Sequence, residues 1–262
     1  GHDASINIMR RLLQNCGCEV IHLGHNRSVK EIVQTALQED AQAVAVSSYQ
    51  GGHMEVFKYI RDMLDENGGK HIQIFGGGGG VIVPREIKEL HEYGITKIYS
   101  PEDGRMMGLQ GLINDMVRRM DYSILDSTTT SHLTDIPSWE DPISVSRWIT
   151  LAELKATNED ILVHDQFYKS NMEAIEKGWH RIEESASQKK KVPVLGVTGT
   201  GGAGKSSLID EIIRRWGYTY PKAKMLILSI DPTRRRTGGA LLGDRIRMNF
   251  ILSDRVFMRS MA

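Results

Sequence analysis

Cysteine is nearly absent from this chain, which holds only Cys16 and Cys18. Two thiols separated by one residue are badly placed for a disulfide, and they lack the further Cys or His spacing of a zinc site. They read as reduced thiols in a cytoplasmic protein. Net charge is absent too, with 33 basic residues against 33 acidic ones, which gives no support to a nucleic-acid or anionic-membrane partner. No apolar run approaches the ~18 residues that cross a bilayer, and no secretory signal is present. What remains is a 262-residue chain, 40% hydrophobic and 25% charged, long enough for two domains with cores of their own.

The stretch that says most about chemistry is Gly199-Thr200-Gly201-Gly202-Ala203-Gly204-Lys205-Ser206, a phosphate-binding loop of the form G-x-x-x-x-G-K-[ST]. An apolar, β-branched run, Val192 to Val197, precedes it and predicts a strand. The pattern Ser207, Leu208, Ile209, Ile212, Ile213 follows and predicts a helix. Glycines let successive N–H groups turn toward one anion, and the helix N-terminus adds about half a positive charge. Lys205 then reaches the β and γ phosphates as the catalytic cation, and the Ser206 hydroxyl ligates Mg²⁺. Gly199, Gly201, Gly202, Ala203, Gly204, Lys205, Ser206 and Ser207 are the candidate nucleotide-binding residues.

Along the rest of the chain, helices predicted at about 4–16, 29–37, 53–65, 84–92 and 105–120 alternate with strands at 19–23, 43–47, 72–75 and 97–99. Ser28-Val29-Lys30-Glu31 reads as a capping box. Alternation of this kind means βαβ units and a parallel α/β sheet, in flavodoxin-like order, with ligands outside the carboxyl ends of the strands. A helix beginning at Ala4 implies a strand before Gly1, and the phosphate-loop region is short for a doubly wound domain. The chain is therefore expected to be an internal segment of a larger protein. Expected domains are 1–121, a helical linker over 122–191 with helices at about 143–156 and 165–186, and an incomplete P-loop G-protein domain over 192–262. The run Lys189-Lys190-Lys191 reads as a solvated hinge.

Three features fall at strand ends of the first domain: Gly1-His2-Asp3, the run Ser47 to His53, and the five glycines Gly76 to Gly80. Five consecutive glycines cost chain entropy and make sense where something lies against bare backbone. These residues resemble the cobalamin-binding domain of the adenosylcobalamin-dependent acyl-CoA mutases, which carries D-x-H-x-x-G, S-x-L and a Gly-Gly pair. The resemblance makes His2 the lower ligand to cobalt, with a second-shell carboxylate orienting the ring. It makes Asp3, Ser5, Ser47, Tyr49, Gly76, Gly77 and Tyr99 neighbours of the cofactor and its tail. Ser5 stands where the motif has Gly, and Tyr49 where it has Leu.

After the phosphate loop, a strand over 225–230 ends at Asp231, and a loop carries Asp244, Arg245 and Arg247. An acid at a strand end near a phosphate loop is a candidate Mg²⁺ ligand. Arg234 to Arg236 read either as phosphate-steering cations or as a solvated loop. The stretch is similar to the G-protein chaperones that service cobalamin mutases, which implies Mg²⁺ and switch roles for Asp231 and Asp244, a nucleotide contact for Arg247, and GTP as the nucleotide.

Together the two halves look like the fused isobutyryl-CoA mutase family. That resemblance implies radical interconversion of isobutyryl-CoA and n-butyryl-CoA with adenosylcobalamin and Mg²⁺–GTP. It also implies an acyl-CoA site in a domain outside this segment, and a homodimer. The alternatives are a non-enzymatic cobalamin-binding GTPase chaperone acting on a separate mutase, and an ATP-dependent regulator with a receiver domain.

Overall fold

The computed structural model describes residues 2–48, 51–127, 133, 135–157, 165–188, 192–231 and 238–262, with backbone alone at residues 2 and 3. Two compact units result: residues 1–121 with 206–262, and residues 122–205. Among the described residues, no helix is long and apolar enough to cross a membrane.

The first unit alternates helices and strands. Helix α1 (His2–Asn15) leads to β1 (Glu19–Ile21), α2 (Val29–Gln38) to β2 (Ala43–Ser47), α3 (His53–Glu66) to β3 (Gln73–Gly77), and α4 (Pro84–Tyr93) to β4 (Lys97–Tyr99), after which α5 (Pro101–Met120) closes the series. Ser28 caps α2 as the sequence predicts, its hydroxyl accepting from the Glu31 N–H while Glu31 accepts from the Ser28 N–H. β2, β3 and β4 pair in parallel in that order. Side-chain alternation splits the core between the two faces of this sheet. On one face Phe75 and Tyr99 pack with Leu13 of α1 and Ile113 and Met116 of α5. On the other, Phe57, Ile60 and Leu64, at helical spacing on α3, are fully buried together with Ile74 and Ile98.

Helix α5 begins earlier than the sequence pattern suggests. Ser100 caps it, with its hydroxyl accepting from Asp103, and Pro101 occupies the first turn, where a missing N–H does no harm. Its break at Gly108 has φ 64°, a backbone setting that glycine takes without steric cost.

The parallel order β2-β3-β4 agrees with the flavodoxin-like expectation, and the remaining strands add pairings that the sequence pattern did not predict. Among the described residues no strand bonds to both β1 and β2. β1 instead pairs in parallel with β6 (Ala240–Leu242), and β5 (Met225–Ile230) pairs with β7 (Val256–Met261). Helix α8 (Lys205–Thr219) packs Ile213 against Met248, Ile251, Val256 and Met258. A buried polar cluster fastens these elements to α2: Arg245 bonds to Glu39, Gln38 and the Met258 carbonyl, and Glu39 accepts from the Ser260 N–H at 2.9 Å.

The strand predicted over 192–197 does not form. Those residues belong to no strand in the described structure, with Val192, Val194 and Leu195 at 79%, 93% and 71% exposure. An apolar run becomes a strand only where another strand completes its hydrogen bonds.

The second unit is helical. A 3-10 turn at Ile124–Ser127, α6 (Pro142–Thr157) and α7 (Gln166–Gln188) enclose Leu125, Leu133, Trp148, Leu151 and Ile175. Gly178 has no room for a side chain, since a Cβ there would lie 2.1 Å from the Leu133 carbonyl oxygen and 2.5 Å from the Trp148 ring.

Candidate functional site

The sheet register assembles the first candidate site. Ser47, Gly77 and Tyr99 are partners across β2, β3 and β4, so they form one row at the carboxyl ends of the three strands. The Ser48 N–H donates to the Gly77 carbonyl at 2.9 Å and carries the pairing one residue further. The row sits at the strand ends where open parallel sheets bind ligands.

The two glycines of the predicted pair have different surroundings. A Cβ on Gly77 would meet only the Tyr99 carbonyl oxygen, at 3.6 Å, so the backbone is open there. A Cβ on Gly76 would lie 2.3 Å from Phe57 Cζ and 2.6 Å from Ile98 Cδ1. What lies against Gly76 is the protein's own core. Gly78 is also closed, by the Ser48 carbonyl oxygen at 2.4 Å.

Tyr99 forms the floor of the row. Its ring stacks on Phe75 at 6.4 Å, and its hydroxyl donates to Asp115 at 3.0 Å. Burial and that carboxylate push the phenol's pKa up, so it stays protonated. Burial opposes ionisation of Asp115, but hydrogen bonds from Arg119, Tyr99 and Arg118 outweigh it and hold the carboxyl below its ordinary range.

His2 and Asp3 open α1 in the backbone, and their side chains lie outside the described residues, as do Gly1 and Tyr49. Ser5 is exposed on α1. Two further residues stand at the rim: His53, the last residue of the run named from the sequence, and Glu86, which no motif singled out. His53 opens α3 and Glu86 lies in the first turn of α4, with Nε2 and Oε2 3.0 Å apart. The Val83 N–H and then His53 hold the Glu86 carboxyl below its usual pKa. The available signal was the position of His53 directly after Gly51-Gly52.

The second candidate site begins at the phosphate loop. Gly202 and Gly204 have φ 79° and 83°, left-handed settings that let the backbone N–H groups turn inward. Lys205 folds back on the loop, donating to the Gly199 and Thr200 carbonyls at 2.8 and 2.9 Å. A phosphate offers this ammonium stronger, charged acceptors.

Within the other unit, Asp244 gathers Ser206, Ser229 and Arg247, with the Ser206 hydroxyl 3.3 Å from Oδ1. Ser206, Asp244 and Arg247 were expected from the sequence; Ser229, near the end of β5, carried no motif. Asp231 follows β5 and its N–H donates to the Met261 carbonyl at 2.9 Å. Ser207 is exposed on α8. Residues 232–237, with the three arginines, lie outside the described residues, as do Lys189 to Lys191. Among the described residues no three His, Cys, Asp or Glu side chains converge to hold a metal by themselves. A serine hydroxyl with one carboxylate fits Mg²⁺, which draws its other ligands from phosphates and water.

Comparison with known proteins finds a relative for each half of the chain. Residues 1–103 match the B12 binding domain, and residues 170–262 match the methylmalonyl-CoA mutase-associated GTPase MeaB. The chain is 59% identical over 262 residues to the fused isobutyryl-CoA mutase of Geobacillus kaustophilus and 53% identical over 263 residues to that of Cupriavidus metallidurans. Each match covers 100% of this chain but only 23% and 22% of those relatives' lengths. The chain is also similar to the 2-hydroxyisobutanoyl-CoA mutase small subunit of Aquincola tertiaricarbonis, 32% identical over 98 residues, covering 37% of this chain and 71% of that subunit.

Proposed function

The chain belongs to the fused isobutyryl-CoA mutase family, and on that premise we propose that it is the cobalamin- and nucleotide-binding portion of an enzyme interconverting isobutyryl-CoA and n-butyryl-CoA. The domains run 1–121 for cobalamin, 122–191 as a helical linker and 192–262 for the G-protein portion. The acyl-CoA is bound by a domain outside this segment, and the enzyme works as a cytoplasmic homodimer.

One observation carries the cobalamin half: the Ser47–Gly77–Tyr99 row leaves bare backbone at Gly77, at the carboxyl ends of parallel strands. That open row fits a large flat ligand entering between strand ends. Bound adenosylcobalamin supplies the radical chemistry of the rearrangement. His2 ligates the cobalt, with Asp3 and Ser5 beside it on α1, while Ser47, Tyr49, Gly77 and Tyr99 line the tail and Gly76, closed by Phe57 and Ile98, belongs to the packing behind them. Tyr99, kept protonated, presents no charge to an apolar base.

In the nucleotide half, Gly199 to Gly204 cradle the phosphates of GTP. Lys205 exchanges its two loop carbonyls for phosphate oxygens, and Ser206 with Asp244 and Asp231 holds Mg²⁺. Ser207 and Arg247 complete the nucleotide contacts. Occupancy of this site gates cofactor loading, with the γ-phosphate ordering the Asp244–Arg247 turn.

The test is paired titration with cobalamin and GTP, followed by assay of n-butyryl-CoA formation in the full-length enzyme. Lys205→Ala is expected to lower GTP hydrolysis by at least about a hundredfold while cobalamin binding persists. Hydrolysis at the normal rate in that variant removes the nucleotide assignment.

A further inference from the structure

The buried cluster around Arg245 joins the two parts of the chain that match different families. Arg245 lies in the GTPase match, while α2 ends at Gln38, with Glu39 as its cap, in the B12 binding match. None of the motifs assigns these three residues a role.

β5 takes one edge of β7, and side chains at the end of α2 take the other. The Gln38 amide donates to the Val256 carbonyl at 3.1 Å and accepts from the Met258 N–H at 3.3 Å, as a peptide unit of a neighbouring strand would. Glu39 accepts from the Ser260 N–H and from the Ser260 hydroxyl, both at 2.9 Å. Arg245 fills the space between them, donating to Glu39, to Gln38 and to the Met258 carbonyl.

These contacts close a ring that includes the candidate Mg²⁺ ligands. Asp244 directly precedes Arg245 and accepts from the hydroxyls of Ser206 and Ser229. Ser229 is the register partner of Ser260 across β5 and β7, and Ser260 bonds to Glu39, which holds Arg245. Mg²⁺ at Ser206 and Asp244 would draw on the carboxylate that Ser229 and Arg247 engage in the free protein. That change falls on the turn carrying Arg245. The Arg245–Glu39 pair cannot follow it by degrees, because a buried charge drawn away from its partner is strongly disfavoured. The cluster therefore has two discrete arrangements, pair made and pair broken, as coupling between distant sites requires.

The cobalamin side is reached through α2. Leu37, next to Gln38, and Leu64 of α3 flank Gly69, where a Cβ would lie 3.0 Å from Cδ2 of each. Leu64 shares its buried helix face with Phe57, which closes the backbone at Gly76 behind the Ser47–Gly77–Tyr99 row.

We infer that the Arg245–Glu39 pair transmits nucleotide occupancy to the cobalamin half, with α2 as the element it shifts. Both are positioning residues that touch neither ligand. The inference rests on the gating reading above and names the residues that carry it.

The test measures hydroxocobalamin affinity of the full-length enzyme by absorbance titration, first without nucleotide and then with saturating Mg²⁺ and the non-hydrolysable GTP analogue guanylyl imidodiphosphate. The ratio of the two affinities is the coupling factor, expected at about fivefold or more in the unsubstituted enzyme, and linkage requires cobalamin to change the analogue's affinity equally. Glu39→Gln combined with Arg245→Met removes both charges, leaves neither unpaired, and keeps an amide oxygen for the Ser260 N–H. In that double variant the coupling factor is expected to fall to within about twofold of one, while each ligand measured alone keeps its affinity within about twofold. Ser229→Ala opens the ring on its other side without touching a charge, and is expected to lower the factor as well. A factor unchanged in both variants overturns the inference. So does a double variant whose affinity for hydroxocobalamin without nucleotide falls as far as the coupling, since the pair then only supports the fold. Absence of coupling in the unsubstituted enzyme would instead remove the gating reading itself.

Discussion

Replacing Gly76 by alanine separates two meanings of the five-glycine run. The added methyl group would sit 2.3 Å from Phe57 Cζ, 2.7 Å from Phe57 Cε1 and 2.6 Å from Ile98 Cδ1. Phe57 is 0% and Ile98 1% exposed, so neither can swing into solvent. The methyl group must be accommodated by displacing the ring, with Ile60 and Leu64 packed on the same helix face. Overpacking of this kind costs about 1–3 kcal/mol. At this size that corresponds to a fall in Tm of roughly 2–4 °C per kcal/mol, read by calorimetry or circular dichroism. Adding Phe57→Leu should relieve the clash, so the double variant is more stable than the sum of the singles predicts, by about 1 kcal/mol in a double-mutant cycle. A Gly76→Ala protein that melts normally but loses cobalamin would refute the packing argument and return Gly76 to the ligand.

Two further outcomes are expected. Glu39→Ala leaves the buried Arg245 guanidinium without its carboxylate, with side chains 1% and 2% exposed, and should cost about 3–5 kcal/mol of stability in urea unfolding; a loss below about 1 kcal/mol would contradict a buried, paired charge. Asp115 has its pKa lowered in the folded state, so its contribution is complete above the ordinary aspartate range and is lost as pH falls through the folded value. Asp115→Asn should therefore be destabilised by about 1–2 kcal/mol at neutral pH, with the gap to the parent closing below about pH 4. A gap that stays constant down to pH 2 would show that the carboxylate charge plays no part.

Local signals were legible wherever one short stretch decided the outcome. The Ser28–Glu31 capping box, β2 and β4 all formed where the pattern put them. Ser47 and Gly77 could be named from motifs and Tyr99 from the family resemblance, and the register that aligns them follows from parallel pairing. What was not legible depends on partners distant in sequence. β1 takes β6 across more than two hundred residues, and nothing in Glu19-Val20-Ile21 encodes that choice. Val192 to Val197 is apolar and β-branched enough for a strand, yet it belongs to none in the described structure. The start of α5 was hidden because Gly104 and Gly108 weaken a helical reading that the Ser100-Pro101-Glu102-Asp103 cap in fact supports. Ser229 and Glu86 gain their roles only from the side chains they meet.

The most direct test of the account is electron paramagnetic resonance of Co(II) cobalamin bound to the protein with its histidines labelled by the heavier, spin-one-half nitrogen isotope. The account predicts that the threefold superhyperfine splitting from ordinary nitrogen becomes twofold, because a histidine replaces the cofactor's own base at cobalt, and that His2→Ala abolishes the change. A threefold splitting that survives the labelling would mean that the cofactor keeps its own base, and would contradict the assignment of His2 as the ligand.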